Sequence, residues 1–262
     1  MSTPTPLTSF LGGFGLALPV HSLLVLNGSV FGISGFVHRA VRGNKEGLIA
    51  TAGLIIGGII IGTIEGRGPE TSFSPLPSLL LSGFLVGLGT KASMSSHNPD
   101  TSSNSGQHES LSVVRLVALL STAVDFALAL RLSNLTDPKK VTAFLLLPFH
   151  PAFDPSLAFL AIGAIPIGAA LYHFFRGPEK PVLGGPWAIP KSGNVDTKLL
   201  LGSVLFGIGW GASGLCRTFR HGASPTPGPV VINLGRALAT GSQLTSWLSW
   251  SLSFIAGGLC VN

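Results

Sequence analysis

Leu199–Cys216 decides the fold class of this chain, and it reads Leu-Leu-Leu-Gly-Ser-Val-Leu-Phe-Gly-Ile-Gly-Trp-Gly-Ala-Ser-Gly-Leu-Cys. The stretch is apolar and uncharged, and glycines accumulate towards its end. A weaker copy lies 120 residues earlier, where the same residue types occur at Leu80, Leu81, Leu85, Gly87, Gly89, Ala92 and Ser93. A repeat of glycine-interrupted apolar segments predicts a membrane transporter built from two related halves.

The composition predicts an all-α, polytopic membrane bundle. Only 10% of the residues are Asp, Glu, Lys or Arg, against about 25% in soluble domains, and the mean hydropathy is +0.55. A helix that spans a bilayer needs about 20 mostly apolar residues. Charge-free runs, most of them long enough, cover Met1–Val37, Gly47–Ile64, Thr71–Thr90, Pro155–Phe175, Leu199–Cys216 and Ala237–Asn262. A soluble protein with buried helices is the alternative, but such runs would leave it little polar surface.

The hydrophobic segments are of unequal length. Seven of them follow one another along the chain, at residues 7–37, 47–65, 77–93, 111–132, 142–175, 199–216 and 229–260. The first, fifth and last exceed one span, so each is expected to add a re-entrant or interfacial piece, giving seven to nine helices. Pro148, Pro151 and Pro155 should divide the fifth segment into a short apolar lead and a full-length helix.

Two polar stretches organise the chain. Residues 94–109 are a low-complexity loop, and residues 177–198, rich in Pro, Gly and Lys, are the predicted linker between the halves. The sequence therefore predicts an N-terminal half over 1–176 and a shortened C-terminal half over 199–262. The distribution of Lys and Arg between the loops weakly favours a cytoplasmic position for the loops near 38–46, 91–110 and 176–198.

Charge and cysteine usage exclude several classes of protein. The net charge of +6 comes from basic residues scattered through short loops, so we expect no nucleic-acid binding. Two cysteines provide neither a disulfide framework nor a zinc signature, and we expect no metal and no cofactor. The chain has no P-loop, nucleophile elbow, dinucleotide fingerprint or His-Glu-x-x-His motif, so we do not expect an enzyme. The N-terminus lacks the basic region of a cleaved signal peptide.

The glycines near the end of Leu199–Cys216 have a physical use of their own. They allow close helix packing and a break in the helix. Pro227 or Pro229 could then begin a new half-helix. The positive N-termini of two such half-helices, one per repeat, would suit a small dianion. The alternative is that the glycines serve packing alone and that Cys216 is a small apolar filler.

Three motifs carry a resemblance to a known family. Leu205–Cys216, followed later by Pro227-Gly-Pro229 and Asn233-Leu-Gly235, resembles the second signature of the YeeE/YedE sulphur-transport family. Leu81–Lys91 is similar to the first signature, and Asn27–Gly35 fits the opening helix of the family. The resemblance implies a two-fold pseudosymmetric bundle in the cell membrane that imports thiosulfate or a related sulphur anion. A sulphur-carrier protein is a possible partner whose identity the resemblance leaves open.

The resemblance also implies a substrate path lined by Cys216, Gly214, Trp210, Gly209, Gly89, Ser96, His97, Pro227, Gly228 and Asn233. The chain departs from the family at two places on this path. The family has Gly-Cys-Thr-Ser-Gly-His after its first glycine-rich helix, whereas residues 92–97 read Ala-Ser-Met-Ser-Ser-His. Residues 217–226 separate Cys216 from the expected Pro-Gly-Pro. Both departures favour an alternative, in which the chain is a non-transporting member that acts as a membrane binding or structural protein.

Two charged residues within apolar stretches are further candidates. Asp125 lies inside an apolar run, and a carboxylate there is either functional, bonded to a neighbouring helix, or close to the membrane interface. Arg236 stands alone between two apolar stretches and either attracts an anion or extends its charge to the membrane surface.

Overall fold

The chain folds into a bundle of α-helices. The computed structural model describes residues 5–66, 75–97, 113–133, 135, 138–146, 150–175, 177, 181–184, 187, 196–212 and 230–261. Over these residues the ten helices are α1 Pro6–Asn27, α2 Ile33–Val41, α3 Lys45–Glu65, α4 Leu76–His97, α5 Val113–Leu132, α6 Pro138–Leu145, α7 Ser156–Phe175, α8 Thr197–Ala212, α9 Val230–Thr240 and α10 Leu244–Leu259. Five of them, α1, α3, α4, α5 and α7, are long and apolar enough to cross a membrane. The predicted all-helical membrane fold is confirmed.

The helices follow a repeated order of long, short, long and long. In α1–α4 the lengths are 22, 9, 21 and 22 residues, and in α5–α8 they are 20, 8, 20 and 16 residues. Helices α9 and α10 follow the second set. This order favours a junction between the two sets at residues 98–112. The junction at 177–198 expected from composition stays a prediction.

Helices α1 and α7 pack in parallel. At their starts, the backbone N–H of Thr5 donates to Ser156 Oγ at 2.9 Å. At their other ends, His21 Nε2 lies 3.2 Å from the carbonyl oxygen of Phe175. One helix of this pair comes from each repeated set.

Helices α3 and α5 form the corresponding pair. Glu46 and Arg115 join their starts at 2.9 Å, and Glu65 and Arg131 join their ends, so these helices are also parallel. If α1 corresponds to α5 and α3 to α7, a two-fold rotation converts one pair into the other. The helix pairing therefore agrees with two pseudosymmetric units.

The two glycine-rich helices α4 and α8 pack against each other in antiparallel directions. A Cβ atom added at Gly89 would overlap the backbone nitrogen of Phe206, and one added at Gly209 would lie 2.7 Å from the backbone nitrogen of Val86. The 120-residue offset converts Val86 into Phe206 and Gly89 into Gly209, so these two contacts are equivalent. The two repeated segments therefore pack against each other.

The long hydrophobic segments are each broken, as expected. Gly28 ends α1 with a left-handed φ of 70°, and α2 follows within the first segment. The proline-rich stretch separates α6 from α7, and α9 and α10 share the last segment. Two expectations were wrong: the described residues hold ten helices rather than seven to nine, and α4 continues to His97. Nothing in residues 94–97 stops a helix, since the next proline is Pro99.

Equivalent glycines of the repeat should respond differently to a large side chain. A Cβ atom at Gly87 would overlap the carbonyl oxygen of Phe254 on α10, whereas one at Gly207 meets no atom of the described residues within 4 Å. We expect Gly87→Leu to cost about 1–3 kcal/mol or more, because a packed backbone must move, and Gly207→Leu to be tolerated. Size-exclusion profiles in mild detergent after heating would measure both. Equal loss of folded protein in the two variants would contradict the packing described here.

A candidate anion site between two half-length helices

Helix α9 begins half-way along α3. Gly58 of α3 contacts the backbone of Ile232, and further along α3, Gly62 contacts Arg236. The two helices are therefore parallel, and Arg236 reaches Glu65 at the end of α3. The described part of α9 has 11 residues and is about 16 Å long, roughly half of the ~30 Å hydrocarbon thickness of a bilayer.

Helix α2 begins at the same level and runs the opposite way. Its last turn packs on Gly47, at the start of α3, so its first residue, Ile33, lies near the middle of α3. Just before it, the Phe31 ring stacks on Phe126 near the middle of α5, with centroids 4.0 Å apart. The chain thus returns into the bundle after α1, and α2 leads it out again.

The N-termini of α2 and α9 lie at the same level of α3 and border one hydrophobic cluster. Phe31 and Ile33 from the start of α2, and Val231 and Ile232 from the start of α9, pack in the hydrophobic cluster that contains Leu54. A helix N-terminus presents unpaired backbone N–H groups and a partial positive charge. Two N-termini that converge in this way form a favourable place for an anion.

The start of α2 has free space beside it. Gly32 precedes the helix with an extended backbone, φ −153°, and a Cβ atom built there meets no atom of the described residues within 4 Å. Gly32 and Ile33 are only half-buried. A small ligand could therefore approach the first N–H groups of α2.

A buried ion pair holds the helices around the start of α3. Arg115 Nη2 lies 2.9 Å from Glu46 Oε1, and both side chains are largely buried. Arg115 Nη1 donates to the carbonyl of Gly184 at 3.2 Å, and Asn27 Nδ2 donates to the carbonyl of Arg115 at 3.3 Å. These contacts place residues 27, 46, 115 and 184 at one end of the bundle, which agrees with the expected common side for the loops near 38–46, 91–110 and 176–198.

Glu65 holds the opposite end. Its carboxylate pairs with Arg131 of α5 and, at 3.3 Å, with Arg236 of α9. Arg236 is therefore part of a structural ion pair, and it points away from the start of its helix. Sequence reasoning did not single out Glu65, although an acidic residue at the end of an uncharged run of α3 is a signal for such a pair.

The ion pair of Arg236 predicts a coupled loss of stability. We expect Arg236→Gln and Glu65→Gln each to cost about 1–2 kcal/mol, between the values of exposed and buried pairs. The double variant should lose less than the sum, because both changes remove the pair between Glu65 and Arg236. Thermal unfolding of all four proteins in detergent measures this coupling. Strictly additive losses would leave Arg236 without the structural role that we assign to it.

The structure describes only some of the residues predicted to line the substrate path. Asn233 lies buried in the first part of α9, close to the meeting point of the two N-termini. Gly89 and Gly209 lie together, in the contact between α4 and α8. Their part in a path stays a prediction.

The other predicted path residues are described partly or not at all. The backbones of Ser96, His97 and Trp210 are helical, but their side chains are outside the described part. The residues outside it altogether are Gly214, Cys216, Pro227 and Gly228. The expected excursion at 217–226 also lies there.

Sequence reasoning missed the contribution of α2. Asn27–Gly35 was assigned to an opening helix, whereas the chain leaves α1 at Gly28 and starts α2 at Ile33. The signal was present in three glycines of this stretch. Gly28 permits a helix end, Gly32 permits an open approach to the backbone, and Gly35 permits close packing. A break inside a membrane helix is tolerated where it lines a cavity or is buried in protein.

These features define an all-helical membrane protein with two half-length helices inside its bundle. Residues 114–255, more than half of the chain, match DUF6691, a family of unknown function. The chain belongs to this family, and the match begins at α5 and ends within α10.

Two relatives come from Xylella fastidiosa, and each is named "Probable transporter". The protein of strain Temecula1 is 28% identical over 129 residues, which are 49% of this chain and 80% of the relative. A protein of strain 9a5c is 37% identical over 86 residues, which are 32% of this chain and 64% of the relative. No solved structure matches the chain.

Proposed function

We propose that the chain is a transporter in the cell membrane that carries small sulphur-containing anions of the thiosulfate type. The observation that carries this proposal is the convergence of the N-termini of α2 and α9 half-way along α3. The names of the two relatives support the class of protein, and the resemblance of Leu205–Cys216 to the YeeE/YedE signature supports the substrate. The proposal assigns no enzymatic step.

The charge of the anion would be balanced in part by helix ends. Each N-terminus supplies about half of an elementary positive charge together with unpaired N–H donors. Thiosulfate carries two negative charges and has oxygens that accept such hydrogen bonds. Cys216 precedes α9 in the chain, and its thiol offers a weak, soft donor to the terminal sulphur.

The directions of the two half-helices suit a site that is reached from both sides. Helix α2 runs from the meeting point towards the Glu46 end of α3, and α9 runs towards the Glu65 end. A ligand at the meeting point is therefore separated from each end by one half-helix. Movement of one unit against the other around this point would alternate access.

Uptake by the purified chain in liposomes tests the proposal. We expect saturable entry of ³⁵S-thiosulfate that excess unlabelled thiosulfate suppresses and that excess phosphate leaves unchanged. Phosphate is the control because it carries similar charge without the terminal sulphur. Entry no faster than in protein-free liposomes would contradict a transport function.

The second candidate is a non-transporting membrane protein that binds the same anion. It is favoured by the loss of the first-motif cysteine in residues 92–97 and by the ten residues that follow Cys216. Saturable thiosulfate binding in detergent without uptake in liposomes would support this candidate.

A further inference from the structure

Each end of α3 carries one glutamate, and similar partners surround both. Glu46 and Glu65 are the two acidic residues of α3, and they lie at its opposite ends. The helix has 21 residues and is therefore about 30 Å long, close to the hydrocarbon thickness of a bilayer. The two carboxylates thus lie about one membrane thickness apart, on either side of the level at which α2 and α9 begin.

The cluster at Glu65 is fully paired. Glu65 forms ion pairs with Arg131 of α5 and, at 3.3 Å, with Arg236 of α9. Arg236 lies six residues beyond the first described residue of α9, which is about 9 Å along the helix axis. Asp125, the acidic residue of α5, has an exposed side chain and takes no part in the ion pairs of the described residues. This cluster therefore holds α9 to both α3 and α5.

The cluster at Glu46 has the same composition but is looser. Glu46 pairs with Arg115 of α5 at 2.9 Å. Its second cation is Arg39, which lies six residues beyond the first residue of α2. The backbone of Arg39 packs on Gly47, and the charge of Glu46 acts on its guanidinium group. This group lies over the Phe36 ring, 4.9 Å from the centroid, and among the described residues it has no carboxylate within 4 Å. The structure thus has one closed cluster and one that is partly released.

The charges in each cluster suit a dianion better than they suit a glutamate. Two guanidinium groups and one carboxylate leave an excess of one positive charge. A dianion that replaced the carboxylate would neutralise both arginines. The planar fork of arginine also binds the oxygens of an oxyanion in a bidentate manner. A passing dianion can therefore compete with the glutamate and release the half-length helix from α3.

We propose, on the basis of the transport function above, that the two clusters bind a doubly charged oxyanion of the thiosulfate type and open in turn as it passes. We call them the Glu46 gate and the Glu65 gate. Each gate includes an arginine on a half-length helix whose start borders the candidate anion site, so the gate and the site move together. If one gate opens while the other stays paired, the site is reached from one membrane surface at a time.

The reactivity of Ser34→Cys tests the gates without any anion. In a chain without its two native cysteines, a membrane-impermeant thiol reagent is applied to intact cells and to inverted membrane vesicles. Lys45→Cys, exposed beside Glu46, shows which preparation presents the Glu46 end. The thiol at position 34 should react mainly from that end, and Glu65→Gln should add reaction from the other end. Thr63→Val, an exposed position near the same end of α3, is the matched control and should add none.

The labelling result separates the gates from the transport function. If Glu65→Gln leaves the labelling as one-sided as Thr63→Val does, the Glu65 cluster is not a gate and the proposal is overturned. The expected labelling together with an absence of thiosulfate uptake would instead contradict the transport function alone.

Equilibrium binding of ³⁵S-thiosulfate in detergent tests the arginines. Glu46→Gln removes the competing carboxylate and keeps Arg39 and Arg115, so it should bind thiosulfate several-fold more tightly than the wild type does. Lys45→Gln changes the neighbouring exposed residue and should bind as the wild type does. Equal or weaker binding by Glu46→Gln would show a cluster that only holds helices together, and it would overturn the proposal.

Discussion

Gly32→Leu should reduce thiosulfate uptake to background while the protein remains folded. The position beside Gly32 is open, and its backbone is extended, so a leucine fits without strain in the bundle. Its side chain would occupy the space in front of α2 and keep an anion from the first N–H groups. Loss of the contact with one helix end should be large, because charge-assisted hydrogen bonds are about twice as strong as neutral ones.

Gly207→Leu is the matched control for this result. Like Gly32, Gly207 has no atom of the described residues near its added Cβ, but it lies within α8, on the exposed side of that helix. Uptake by Gly207→Leu should equal that of the wild type at equal protein in the membrane fraction. If Gly32→Leu transports as well as Gly207→Leu, the start of α2 is not part of the site.

Cys216→Ser should lower thiosulfate uptake about tenfold, equivalent to ~1.4 kcal/mol, with little change in protein abundance. Serine preserves the size and a donor hydrogen, so only the soft sulphur is lost. A structural cysteine would tolerate this change within roughly 1 kcal/mol of stability. Initial uptake rates in cells without other sulphur importers, normalised to protein in the membrane fraction, measure the effect.

Cys260→Ser provides the control for the loss of a thiol, since Cys260 is exposed at the end of α10. It should transport as the wild type does. Equal uptake by Cys216→Ser and the wild type would remove Cys216 from the mechanism. Absence of uptake in every variant and in the wild type would instead support the non-transporting candidate.

Most of the fold could be predicted because each membrane helix is indicated by the composition of its own stretch of sequence. The charge-free runs gave the long helices, and the prolines after Leu147 correctly separated α6 from α7. The glycines near the end of Leu199–Cys216 indicated close helix packing, and Gly209 does contact α4 closely. The extra turn of α4 was missed, since a polar composition does not by itself end a helix.

The candidate site was predicted only in part. Pro227 or Pro229 was expected to begin a half-helix, and the described part of α9 begins at Val230. The partner at α2 was missed, because an apolar segment of ordinary composition does not show where the chain turns back. The ion pairs of Glu46 and Glu65 were also missed, since they join helices that are far apart in sequence. Such pairs depend on tertiary packing, which the helix pattern does not specify.

The most direct test of the account is protection of the meeting point by thiosulfate. Ser34 lies in the first turn of α2, so Ser34→Cys places a thiol beside the proposed anion. Peptide mass spectrometry of alkylated protein follows this thiol and Cys260 separately in one molecule, with Cys260 as the internal control. We predict that thiosulfate slows alkylation at position 34 several-fold, that phosphate does not, and that Cys260 is unaffected by either. Alkylation at position 34 that proceeds at the same rate with and without thiosulfate would contradict an anion site between α2 and α9.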